Sequence, residues 1–123
     1  MTIKYHHAPD IEERAKNIAV KVGIKHDFSR VRFVRSTGSK AERTLARCHA
    51  FPRVLQAALG MKAHYVIEVI SEQFDRMSEE QQTKTIIHEL MHIPKSMGGG
   101  FRHHDYVCSK NIESMYKMLR KNS

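Results

Sequence analysis

Between Asp10 and Val22 the apolar positions Ile11, Ala15, Ile18, Ala19 and Val22 recur at spacings of three and four, which places them on one side of a helix. Asp10 as N-cap, Glu12 and Glu13 in the first turn, and Gly23 just past the last apolar position bound that helix. The period then falls to two. Val31, Phe33 and Arg35 alternate with Arg32 and Val34, predicting a short strand over 30–35 that ends in the turn Ser36-Thr37-Gly38-Ser39. The stretch from Ala41 to Ala50 reads both ways. Alanine and leucine suit a helix, but Thr44, Ala46, Cys48 and Ala50 alternate with Leu45, Arg47 and His49, and the alternation favours a strand.

Pro52 near its start and Gly60 at its end frame a short helix through Val54, Leu55, Ala57, Ala58 and Leu59. Tyr65 to Ile70 is the clearest strand, with Tyr65, Ile67 and Val69 set against Val66, Glu68 and Ile70. Ser78 stands three before Gln81, a capping-box signature for a helix continuing through Ile86, Ile87, Leu90 and Met91. Pro94 disfavours helical geometry at Ile93, so that helix should close just after His92. Lys95 to His104, centred on Gly98-Gly99-Gly100, must be loop, and a terminal helix is expected from about Asp105 to Leu119. No internal repeat or linker interrupts the order, which describes one compact α+β domain over residues 1–123.

Composition changes the picture in three places. Hydrophobic residues at 41% and charged residues at 28% suit a globular chain and exclude disordered and low-complexity classes. No apolar run approaches the ~18 residues of a membrane span, and Met1 to His7 has no apolar signal core, so a cytoplasmic protein is expected. Cys48 and Cys108, without a paired motif, are expected as reduced, packed thiols.

The net charge of +8 is local. Arg30, Arg32, Arg35, Lys40, Arg43, Arg47 and Arg53 oppose only Glu42, a candidate footprint for nucleic acid or an acidic partner that reads equally well as a solvated face. Histidine is the third anomaly. Of nine, His88, His92, His103 and His104 crowd into one short segment, and imidazole is the commonest ligand for transition metals.

His88-Glu89-Leu90-Met91-His92 is the H-E-x-x-H pattern, on the capped helix it requires. Residues four apart lie about 40° apart around a helix and roughly 6 Å along it, so both imidazoles can address one zinc ion. Glu89 can take a proton from the water such an ion activates and pass it to a leaving amine. The bland alternative is an ordinary helical histidine pair, which has no reason to sit opposite the apolar face of Ile86, Ile87, Leu90 and Met91.

Catalytic zinc takes three protein ligands plus water. Position 98 is glycine, so the short spacing with a third histidine six beyond the second is excluded. A returning histidine beyond the flexible glycines, His104 or His103, is the simplest completion, and Glu113 on the terminal helix is the competitor. Arg102, Tyr106, His103 and His64 are weaker candidates for stabilising an oxyanion, and His64 reads more simply as a strand-edge side chain. His6 and His7 read as a frayed terminus, and the seven methionines as core filling. Tyr65 to Ile70 is a candidate for the strand beside the cleft, to which an extended substrate could add.

The segments Val66 to Asp75, Ile86 to Lys95 and Gly99 to His104 resemble a zinc metallopeptidase family of archaea and phages, distantly similar to SprT-like proteases. The similarity spans about residues 3 to 119. It implies a zincin-like fold, one zinc ion, a peptide or protein substrate, and a third ligand at the end of Gly-Gly-x-x-x-His, which falls on His104. That family commonly has proline where this chain has His103, so the doubled histidine is a departure. SprT-like relatives act on DNA-bound proteins, which keeps a nucleic-acid-associated protease in view, and a metal-binding module without catalysis is the remaining alternative.

Overall fold

The computed structural model describes residues 2–123. Strand β1 (Lys4–His7) leads into α1 (Pro9–Val22), and a 3-10 turn at Phe28–Arg30 opens β2 (Val31–Thr37). There follow β3 (Ala46–Ala50), α2 (Arg53–Leu59), β4 (Tyr65–Ile70), the one-turn α3 (Ser71–Phe74), α4 (Glu79–His92) and α5 (Ser109–Lys121). No helix among the described residues is long and apolar enough to cross a membrane.

The sheet has the order β1-β2-β4-β3, with β2 and β4 parallel and the two flanking pairs antiparallel. Register pairs Val31 with Tyr65 and Phe33 with Ile67, so these side chains share one face. They are buried there with Ile11, Ala15 and Ile18 of α1 and with Ile86, Ile87 and Leu90 of α4. Gly23 and Gly60 end their helices in the left-handed region, and Ser78 Oγ accepts from Gln81 N at 3.1 Å. Asp10 does not cap α1: the cap position is Ala8, with Pro9 opening the helix, and the Asp10 carboxylate pairs with Arg35 instead. Burying the apolar stripe of α4 against the sheet leaves His88 and His92 on its flank, half-exposed beside β3.

Four further expectations need correction. His6 and His7 are not frayed, because they pair with Arg35 and Val34 as an edge strand. Strand β2 runs on to Thr37, through two residues expected to turn. The terminal helix starts at Ser109, since Tyr106 N and Val107 N both bond back to His103 O and hold that stretch in a turn. Strand β4 is interior, hydrogen-bonded on both sides, so no substrate can add to it. The sheet has edges at β1 and β3, and β3 is the one packed beside α4. Leu45 O accepts from Ile70 N and Phe51 N donates to His64 O, so the odd-numbered residues of this stretch face β4. Alternation then turns the backbone groups of Ala46, Cys48 and Ala50 outward.

Candidate metal centre

One helical turn separates His88 from His92, and their Nε2 atoms lie 3.1 Å apart. The chain leaves α4 at Ile93, passes the glycines and comes back. Arg102 N donates to His92 O at 2.8 Å, and His92 Nδ1 donates to Arg102 O at 2.7 Å. Because a carbonyl only accepts, the second bond fixes the proton on Nδ1 and leaves the Nε2 lone pair facing His88. Two residues further, His104 completes a triad with one ligand nitrogen from each ring, all within 4.8 Å of one another.

Three nitrogens about 2.0–2.1 Å from a tetrahedral zinc ion stand about 3.4 Å apart, so the His88–His92 pair already matches and a small rotation of the exposed His104 brings in the third. The residues fit the ion. Burial, reinforced by His92 and His104, pushes the His88 imidazole down to about 4, which keeps it neutral and able to ligate at neutral pH.

Glu89 projects from the same turn toward β3 and is 6% exposed. Burial pushes its carboxyl up to about 7. Cys48 of β3 lines the same hollow of about 170 Å³ as Glu89, His92 and His104. Its thiol is pushed up to about 12 by burial and then by the Glu89 charge, so it stays protonated. Both cysteines are free.

The loop that delivers His104 is held by a residue the pattern did not single out. Tyr65 is fully buried, yet its hydroxyl accepts from Gly99 N at 3.0 Å and donates to Gly100 O at 3.1 Å. Gly99 has φ +104°, a backbone conformation that strains any residue with a Cβ, so glycine is favoured there. Tyr65→Phe is expected to weaken zinc binding about tenfold and to cost about 1–3 kcal/mol of stability. A chelator competition assay that finds the affinity unchanged would remove Tyr65 from this role.

Among the remaining candidates, Arg102 and His103 line the hollow at the triad, and Glu113 lines the cleft beside His88 and Glu89. Glu113 sits 2.6 Å from Lys84, which also binds Glu80 at 2.8 Å, and it is not one of the clustered ligands. The carboxylates hold the Lys84 ammonium above its ordinary range. His103 is exposed, and its backbone carbonyl closes the turn to Tyr106 and Val107. The Arg102 guanidinium stacks 3.7 Å over Tyr106, and Tyr106 lines a rear cavity and not the hollow at the triad. His64 Nδ1 bonds Lys62 O, away from the site.

The basic segment is partly consumed by internal partners. Arg30 caps the carbonyls of Ala63 and Met97, Arg35 bridges Asp10 and Asp75, and Arg47 lies 3.6 Å from Glu68. Arg32, Lys40, Arg43 and Arg53 make no ion pair among the described residues.

Residues 3–120 match the model of a family described as putative phage metallopeptidase. No curated protein and no solved structure gives a match.

Proposed function

Because the chain belongs to the putative phage metallopeptidase family, we propose that it is a zinc-dependent endopeptidase of zincin-like architecture. The observation that carries this reading is the convergence of His88, His92 and His104 beside the buried Glu89. Zinc, when bound, lowers the pKa of a water to about 7 and polarises the substrate carbonyl.

The protein's own groups do the rest. His88, His92 and His104 hold the ion, and the Arg102 carbonyl keeps His92 in the tautomer that ligates. Glu89 accepts a proton from the attacking water and delivers it to the amine that leaves when the C–N bond breaks. In the metal-free fold burial raises this carboxyl, and the charge of a bound cation would draw it back toward the ionised form that takes the proton.

An extended peptide is the natural occupant of the open edge of β3, whose Ala46, Cys48 and Ala50 present unpaired backbone groups, the first two beside Glu89. Their small side chains leave the cleft of about 430 Å³ between β3 and helices α4 and α5 accessible. Replacing one substrate N–H by N-methyl at alternate positions should raise KM about tenfold at one parity and leave the other unchanged, in line with one lost hydrogen bond of about 1.5 kcal/mol. Equal effects at both parities would remove the edge-pairing reading.

The test of the activity is direct. Purified protein should cleave an unfolded polypeptide, stop on chelation, and recover with one equivalent of zinc. Cleavage that survives exhaustive chelation would sink the proposal.

A further inference from the structure

Behind the metal centre, on the other side of the last turn of α4, lies a cavity of about 500 Å³. Its apolar wall is formed by the half-buried Ile24, Tyr106 and Met115, which lie over the fully packed Leu90, Met91 and Ile93. Its rim carries Lys25, Lys95 and Arg102, and no aspartate or glutamate lines it. Asp27, the nearest acid in sequence, spends its carboxylate on Ser29 and Arg30. None of the three rim cations is in an ion pair among the described residues.

Two helices, α1 and α4, end at this cavity, and their carbonyl ends attract cations, so compensation of the helix dipoles is the first explanation to weigh. It is too small. Each end carries about −0.5 of a charge, so two ends offset about one of three positive groups and leave a net of about +2. Their carbonyls are also partly occupied already. His26 Nε2 donates to Leu90 O at 3.0 Å, and Arg102 N takes His92 O. An unfilled apolar wall under an uncompensated cationic rim is complementary to one chemistry, an apolar body with an anionic head, and its volume lies in the range of small-molecule sites.

We infer that this rear cavity is a binding site for a small amphipathic carboxylate, of the size of a medium-chain fatty acid, with its tail against Ile24, Tyr106 and Met115 and its head between Lys25, Lys95 and Arg102. Arg102 is shared with the metal centre, where its backbone holds His92, so an occupant would touch the segment that orients a ligand histidine. The site is independent of peptide hydrolysis and is tested by binding alone.

Octanoate should be titrated into the zinc-loaded full chain by isothermal calorimetry, beside 1-octanol and beside the Lys25→Ala/Lys95→Ala protein. Lys25 and Lys95 are exposed and touch no ligand histidine, so the double variant folds and keeps its metal. Saturable octanoate binding, at least tenfold tighter than octanol and at least tenfold weaker in the variant, is the expected result. Octanol binding as tightly overturns the anionic-head assignment. Octanoate affinity unchanged in the variant puts the carboxylate elsewhere, the zinc ion included, and overturns the site.

Discussion

Glu89→Gln protein is expected to bind zinc within about threefold of the wild type and to hydrolyse peptides between about 100-fold and 10,000-fold more slowly, the usual range for losing a positioned general base. Glutamine has the size of the protonated acid, so the turn of α4 that carries His88 and the packing against β3 are kept while proton transfer is lost. The same substitution should reveal the strain of placing a carboxylate there. In the unfolded chain the group ionises near 4.5, and in the metal-free fold near 7. A folded pKa above the unfolded one means that its stabilising share is complete below pH 4.5 and fades as pH climbs through 7.

Between the two states that difference corresponds to about 3 kcal/mol at pH 8. Chelated Glu89→Gln protein should therefore resist denaturant better than the chelated wild type at pH 8 and no better at pH 4.5. His88 acts in the opposite direction, losing stability as it is forced to protonate below 6.5 toward 4, and this contribution is common to both proteins. Full hydrolysis by the variant, or a pH-independent stability difference, would dismiss Glu89 as the buried base.

His92→Ala should abolish measurable zinc binding, well beyond the about 100-fold that substitution of a supporting group costs, because it deletes a ligand and also the ring that ties Arg102 to α4. The informative comparison is with the third ligand. His104→Ala should fall in the same class, while His103→Ala and Glu113→Gln stay within about threefold. Glu113→Gln should instead show itself in Lys84, by loosening the α4–α5 contact at 2.6 Å without touching the metal. If Glu113→Gln loses zinc and His104→Ala retains it, the ligand set proposed here is wrong.

Much of this site could be read from residue types and spacing, and what escaped did so for definite reasons. Helices α1 and α4 and strand β4 combine a strong period with caps or flanking breakers, and each appears where its pattern puts it. Strand β1 hides because all four of its residues are exposed, leaving no alternation to detect. Strand β3 was ambiguous because alanines are acceptable in either state, and only pairing with β4 decides. The adjacency of His103 and His104 defeats spacing arguments. A chain that has just doubled back can present either ring, and the backbone bonds of Arg102 and of the turn at His103 make the selection.

Tyr65 was missed as a functional side chain because it reads as a core residue of a strand. The available signal was its hydroxyl, since a buried tyrosine needs a polar partner and a glycine run supplies free backbone groups. Glu113 pairs with Lys84, one turn before His88, a contact that its spacing from His92 gives no sign of.

The unfinished border at Ala46, Cys48 and Ala50 does not distinguish a substrate from a sibling molecule. Any extended stretch with free amides can dock there, including one from another copy whose ends have loosened, so crowding invites both self-association and self-cleavage. The fold limits this exposure by brevity. Five residues extend about 17 Å, long enough to grip the few residues around a scissile bond and too short to seed a growing fibre.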